Sequence, residues 1–214
     1  QLKRLQIILS TDCNLACVYC SPEWSSTWYN DIKDNGDFKL EGQSIGNDSW
    51  STLWSRLKQK NRSTETKFFE MLLKEIELAK GLLHNQLLEI LQNVRDKRIS
   101  IVTGLGVNDQ RLQKILAQIG DQKIKFLVSA ESTGKYFEFI RYGLKWEDFQ
   151  KRVRMIESAG HKVEFISTLS NLAYMDIHNF LMMFQDRFKI QQNGMTGRDF
   201  MLPHVMDDES KDEC

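Results

Sequence analysis

Asp12-Cys13-Asn14-Leu15-Ala16-Cys17-Val18-Tyr19-Cys20 decides how the chain is read. Its cysteines fall in the spacing Cys-x3-Cys-x2-Cys, with the aromatic Tyr19 just before the third. One short loop thus offers three soft thiolates and no fourth. That donor set suits an iron–sulfur cube that keeps one iron open for a further ligand. Structural zinc and ordinary electron-transfer clusters take four protein ligands instead. A distant His84 or His161 as fourth donor gives the competing reading of a zinc knuckle. Cysteines this close bridge poorly to one another, and with only Cys214 besides them they form no disulfide framework. The setting expected from this is reducing and cytoplasmic.

Outward from the loop, Leu5-Gln6-Ile7-Ile8-Leu9 is a short apolar run that feeds straight into it. From Ser21 to Arg62 the chain is rich in Ser, Asn, Asp, Gly and Trp, and reads as a long surface excursion with little regular structure. A capping region at Ser63-Thr64-Glu65-Thr66 opens a predicted helix with Phe68, Phe69, Leu72, Leu73, Ile76 and Ala79 at helical spacing. Leu82 to Val94 is again helical. Apolar residues keep helical register across Gly81, so the two patterns join as one long helix, bent at that glycine.

Beyond it, predicted strands at Ile99–Thr103, Ile124–Ser129 and Val163–Leu169 alternate with predicted helices at Asp109–Ile119, Trp146–Ala159 and Asp176–Arg187. Gly120 and Gly160 end the first two of these helices. Phe188-Lys189-Ile190 supplies a last edge strand. Strands separated in this way by helical patterns mean βαβ units and an α/β fold with mostly parallel strands. The expected organisation is one core domain over 1–190, carrying the excursion at about 21–62, and a partly disordered tail over 191–214 with acidic Asp207 to Glu213.

Composition sets outer limits. The chain has 214 residues, 41% hydrophobic and 27% charged, which suits one α/β domain. Lys plus Arg and Asp plus Glu number 29 each, so net charge makes no case for nucleic acid or an anionic membrane as partner. No apolar run approaches the roughly 18 residues of a spanning helix, and no charged-then-apolar leader is expected.

The cysteine loop, with its Asn14 and Tyr19, resembles the cluster loop of radical S-adenosylmethionine (SAM) enzymes. Val128-Ser129-Ala130-Glu131, followed by Phe137-Glu138-Phe139-Ile140-Arg141-Tyr142-Gly143 and Trp146, resembles the fourth-strand region of the small twitch-type members. There a Ser-x-Asp/Glu pair ends the strand, and an Ile-Arg-Tyr-Gly-x-x-Trp segment follows. The likeness runs in order from Leu5 to Leu181. It implies a partial (β/α) barrel whose first strand delivers a 4Fe-4S cluster, held by Cys13, Cys17 and Cys20, to the C-terminal mouth. It further implies that the amino and carboxylate groups of SAM chelate the open iron. An external one-electron reductant of flavodoxin or ferredoxin type would then drive SAM cleavage, and the 5′-deoxyadenosyl radical would abstract hydrogen from a small-molecule or peptide substrate.

On the same resemblance, Ser129 and Glu131 are candidates for the ribose or amino group of SAM. Tyr19 and Thr103 are candidates at the pocket mouth, and Thr168 and Ser170 where the family packs adenine. Each has a local alternative: a solvated strand end for Ser129 and Glu131, and capping for Thr103, Thr168 and Ser170. Arg141 has a forked guanidinium fit for the SAM carboxylate, but an ion pair with Glu138 is the favoured role. Trp24, Trp28, Trp50 and Trp54 serve as cover for the cluster, as substrate contacts or as plain packing, with packing preferred. None of His84, His161, His178 and His204 is assigned catalysis. Twitch-type members can hold an auxiliary cluster, for which the single Cys214 is not enough.

Two departures stand against the resemblance. Family members carry a Gly-Gly-Glu-Pro-like turn after the second strand, which holds the amino group of SAM. Here strand two and its turn are expected to be missing between Gly81 and Leu82, through a deletion in the gene or residues left out of the sequence. Thr103-Gly104-Leu105-Gly106 stands where the family often has Thr-Asn, which removes a polar side chain from the mouth. A degenerate member that keeps its cluster without SAM turnover, as a binding or electron-transfer module, is therefore the alternative to an active enzyme.

Overall fold

Short runs rich in Ile, Val, Leu and Phe become parallel strands when amphipathic helices between them cover the sheet. The computed structural model describes residues 5–8, 13–20, 25–36, 38–40, 43–45, 75–79, 91, 98–194, 201–202 and 206. Strand β1 (Leu5–Ile8) leads into the cysteine loop, in which Ala16–Cys17 form the short strand β2. Helix α1 (Ser26–Asn35) and an antiparallel hairpin of β3 (Phe38–Leu40) and β4 (Gln43–Ile45) follow. Next come β5 (Glu75–Ala79), β6 (Arg98–Thr103), α2 (Asp109–Ile119) and β7 (Ile124–Ser129). Helix α3 (Gly134–Ile140) runs into β8 (Arg141–Tyr142) and then α4 (Trp146–Ser158). Strand β9 (Lys162–Leu169), α5 (Asn171–Tyr174), α6 (Ile177–Phe184) and β10 (Lys189–Gly194) complete the order.

Six strands pair in parallel in the order β1-β5-β6-β7-β9-β10. This is chain order, so every crossover steps the same way. Right-handed crossovers then gather the helices on one face and leave the other concave. The result is a partial barrel, not a doubly wound sheet, whose strand order would reverse. Among the described residues β1 and β10 do not pair, and the barrel stays open. No helix among the described residues is long and apolar enough to cross a membrane.

Register separates the two faces, because residues paired across parallel strands point the same way. Thr103, Val128 and Phe165 line up on the helix side, as do Ile101, Phe126 and Val163. There the Phe165 ring lies 5.0 Å from both Phe184 and Phe188 and 5.4 Å from Phe180. The concave face carries Leu127, Ser129, Ile166 and the buried Glu164. Lys162 approaches Glu164 at 2.7 Å, Lys125 at 3.8 Å, and Gln191 donates to it at 3.0 Å. Burial alone would raise the Glu164 pKa; these bonds and charges outweigh it and hold the carboxyl below its usual range.

The spacing of Phe68 to Ala79 predicts a helix, yet Glu75–Ala79 is β5, hydrogen-bonded between β1 and β6. Glu-Ile-Glu-Leu also alternates with a period of two, so over so few residues both periodicities fit. Two strand edges on either side decide for a strand. Strand two is therefore present, against the expectation that it is missing. The turn beyond it lies outside the described residues, as does the Leu82–Val94 stretch apart from Leu91, which is helical.

The excursion from Ser21 differs as well. It contains the β3–β4 hairpin and α1, whose start Ser25 caps by accepting the Trp28 N–H at 3.1 Å. Helix α6 ends at Phe184 rather than Arg187, and β10 runs on to Gly194. Trp24, Trp50, Trp54, His84, His204, Cys214 and the acidic tail fall outside the described residues.

His161, just before β9, is buried with neither ring nitrogen hydrogen-bonded among the described residues, its ring 5.6 Å from that of Phe126. Burial, aided by the charge of Lys123, holds its pKa below the ordinary 6.5. The folded chain thus keeps a neutral ring where the unfolded chain takes up a proton. Stability is expected to be level above pH 6.5 in this respect and to fall below it. His161→Phe should remove that part of the acid dependence in urea unfolding compared at about pH 7.5 and about pH 5.5. An unchanged pH slope would contradict the assignment.

Candidate metal centre

The cysteine loop has almost no secondary structure of its own, so its backbone groups find partners on neighbouring elements. From α1, Ser26 Oγ and Thr27 Oγ1 donate to the Cys13 carbonyl at 3.0 and 3.2 Å. The Cys13 N–H donates to Ser26 Oγ at 3.2 Å, and Ser25 Oγ donates to the Leu15 carbonyl at 2.7 Å. The Trp28 indole N–H donates to the Cys17 carbonyl at 2.8 Å, which gives one of the four flagged tryptophans a definite structural task. On the other side β2 pairs antiparallel with β8, and the Val18 N–H donates to the Ile140 carbonyl at 3.0 Å.

Leu15 anchors the loop in the core, seated against glycines. A Cβ on Gly104 would stand 3.1 Å from Leu15 Cδ1, and one on Gly106 only 2.5 Å from Asn14 Oδ1. Asn14 Nδ2 meanwhile donates to the Gly106 carbonyl at 2.6 Å. Thr103-Gly104-Leu105-Gly106 is therefore the seat of the cysteine loop, and its glycines make room for it. Between them Leu105 takes a left-handed φ of 57°, a conformation that costs roughly 1–2 kcal/mol. Thr103 Oγ1 accepts the Leu105 N–H at 2.9 Å, and buried Arg152 donates to the Leu105 carbonyl at 3.0 Å. Those bonds hold the strained residue in place.

Charge gathers beneath the loop. Glu131 is fully buried and Arg141 nearly so. Arg141 Nε donates to Glu131 Oε1 at 3.1 Å and Nη2 to Oε2 at 2.5 Å. The Tyr19 hydroxyl donates to the same Oε1 at 3.0 Å, and the Tyr19 ring lies 5.3 Å from the guanidinium carbon. Arg141 Nη1 lies 3.9 Å from Cys17 Sγ. The sequence favours Glu138 as the partner of Arg141; the structure replaces it with Glu131. Arg141 lies directly across the β2–β8 ladder from Cys17, in contact with the buried Glu131 just beyond β7. Glu138 instead pairs with Lys145 at 2.6 Å and accepts the Trp146 N–H at 3.1 Å.

Burial pushes the Cys17 thiol up to about 12, against the pull of Arg141. Burial likewise raises Tyr19 well above its usual value, again opposed by Arg141. For Arg141 itself burial acts downward, but the charge of Glu131 outweighs it and holds the guanidinium firmly protonated.

The other candidates divide by face. Ser129 ends β7 in register with Ile166, and Thr168 follows two residues later on β9, so these two share the concave mouth, both half-buried. Thr103 lies on the helix side and caps Leu105. Ser170 is buried and caps α5 by accepting the Ala173 N–H at 3.1 Å. His161 precedes β9, at the opposite end from the loop, and so cannot complete a zinc knuckle; His84 is outside the described residues. Sequence reading passed over Ser132, whose buried hydroxyl has no hydrogen-bond partner among the described residues. It also passed over Asp176, which accepts from the Thr133 N–H and from Thr133 Oγ1. The run Glu131-Ser132-Thr133 at a strand end was the available signal for both.

Cys13, Cys17 and Cys20 all stand outside disulfides, the second buried and the others half-buried. Soft sulfur donors with a guanidinium beside one of them fit an iron–sulfur cluster, whose thiolates sit on separate irons. Among the described residues no three His, Cys, Asp or Glu side chains gather as for a single metal ion.

No protein-family model and no curated protein matches the sequence. Solved structures do. The chain is similar to SuiB of Streptococcus suis bound to S-adenosylmethionine, at 11% identity and a TM-score of 0.59, over 94% of this chain and 42% of that one. It is similar to anSMEcpe with bound AdoMet at 14% identity and a TM-score of 0.54, over 91% of this chain and 52% of that one. SuiB bound to the precursor peptide SuiA matches at 12% identity and a TM-score of 0.53, over 90% and 39%. The chain thus spans about half, or less, of these proteins, and what it shares with them is the radical SAM-like partial barrel.

Gly106→Ala should displace Asn14 and Leu15 and cost about 1–3 kcal/mol in urea unfolding. Gly194→Ala, where an added methyl meets nothing within 4 Å among the described residues, is the control and should change little.

Proposed function

We propose that this chain is a radical SAM protein, in which Cys13, Cys17 and Cys20 hold a 4Fe-4S cluster and SAM binds beside it. The observation that carries this reading is a loop of three closely spaced cysteines, none in a disulfide, braced at the C-terminal mouth of a partial barrel. When bound, the cluster would supply the electron that splits SAM and yields a 5′-deoxyadenosyl radical able to take hydrogen from a substrate.

The chain's own residues bind and orient. Helix α1, β8 and the Gly104–Gly106 seat fix the thiols. Ser129 and Thr168 offer hydroxyls on the concave face, where a nucleoside could bind beyond the strand ends. Tyr19 closes the floor of the site and ties the loop to Glu131. With its carboxylate held by Arg141 and Tyr19, Glu131 serves SAM by steadying the loop beside it. Two similar structures hold peptides, the precursor SuiA in one and Kp18Cys in the other. That favours a peptide as the substrate, with a flavodoxin- or ferredoxin-type donor of single electrons. Cysteines kept reduced for a cluster suit the reducing cytoplasm.

A second reading, a cluster-binding member without turnover, draws on Lys80-Gly81-Leu82 directly after β5, where the family has a Gly-Gly-Glu-Pro-like turn.

Anaerobic reconstitution with iron and sulfide, followed by SAM and dithionite, separates these readings. Formation of 5′-deoxyadenosine is expected; a full cluster with no SAM cleavage would point to the second reading. Cys17→Ala should abolish cluster loading, measured as iron and sulfide per chain, and full loading in that variant would refute the ligand set.

A further inference from the structure

We infer that Arg141 is a positioning residue that sets the reduction potential of the cluster by fixing a positive charge beside the Cys17 sulfur. This rests on the cluster proposed at Cys13, Cys17 and Cys20.

The geometry is specific. Arg141 stands directly opposite Cys17 in the β2–β8 ladder, so backbone pairing places the two side chains together. Two of its nitrogens, Nε and Nη2, fork onto the carboxylate of Glu131. That fork fixes the plane of the guanidinium and leaves Nη1 toward Cys17 Sγ at 3.9 Å. Tyr19 fixes the pair from a third side, its hydroxyl on Glu131 and its ring under the guanidinium. All four side chains belong to one unit, and none of the usual tasks of a surface ion pair applies to it.

A plain staple would need only the ion pair. A charge next to the sulfur does something more. Reduction adds one electron to the cluster, with no bond made or broken and no proton needed. The added negative charge is favoured by a cation close by in a medium of low dielectric, and donors facing cluster sulfurs act in the same direction. Glu131 partly offsets that cation, so the two residues should move the potential in opposite senses.

The test is a dithionite titration followed by electron paramagnetic resonance on reconstituted wild type, Arg141→Gln, Arg141→Lys and Glu131→Gln. Arg141→Gln should shift the ratio of reduced to oxidised cluster about tenfold toward oxidised at a given ambient potential, about 59 mV for a one-electron couple. Glu131→Gln should shift it toward reduced. Arg141→Lys keeps the charge and should restore most of the wild-type value; a lysine variant as low as the glutamine one would count against the charge. If Arg141→Gln loads no cluster, Glu131→Gln decides the matter. Fully loaded variants with wild-type potentials would overturn the inference and leave the proposed function standing. A wild-type chain that takes up no four-iron cluster would overturn both.

Discussion

The mouth of this barrel depends on satisfying the backbone of a loop that makes almost no regular structure. Buried amide and carbonyl groups need partners, and the eight residues that must present three thiols supply few of them internally, the Cys20 N–H to the Cys17 carbonyl at 2.9 Å among them. Helix α1 answers for Cys13 and Leu15 with hydroxyls and for Cys17 with an indole, while β8 answers for Ala16 and Cys17 with a ladder. Leu15 and the glycines beneath it convert those bonds into a single docked position. The loop is thus shaped by its surroundings, and a strained Leu105 is part of the cost of that seat.

Buried charge is the second constraint, and the fold meets it twice. On the concave face Glu164 is surrounded by Lys125, Lys162 and Gln191. At the mouth Glu131 and Arg141 neutralise one another and enlist Tyr19. Removing one partner of such a pair leaves an uncompensated charge in low dielectric, so each group holds the others in place. The cysteine loop and the residues just beyond β7 are in this way one electrostatic unit, although Glu131 lies 111 positions after Cys20 in the chain.

How much of this could be read beforehand varied with the range of the interaction. The helices at Asp109–Ile119 and Trp146–Ser158 and the strands β6, β7 and β9 follow from local periodicity and their closing glycines. β5 did not, because its five residues satisfy two periods at once and only the edges of β1 and β6 choose between them. The partner of Arg141 was misread for a similar reason. Glu138 is nearer in sequence and Glu131 nearer in space, and a helix followed by a two-residue strand turns the side chain away from its local neighbour.

By itself the sequence determined the donor chemistry, three clustered thiols with an aromatic among them, and the parallel α/β alternation that implies an open mouth at the strand ends. Both are properties of residue type and short-range spacing, which a chain carries whether or not it is folded. Only the tertiary structure decided which hydroxyls share the concave face, which carboxylate neutralises Arg141, and that two glycines read as a loss are the space in which the cysteine loop sits. Those outcomes turn on strand register and on contact between atoms far apart along the chain, and neither exists until the sheet has formed.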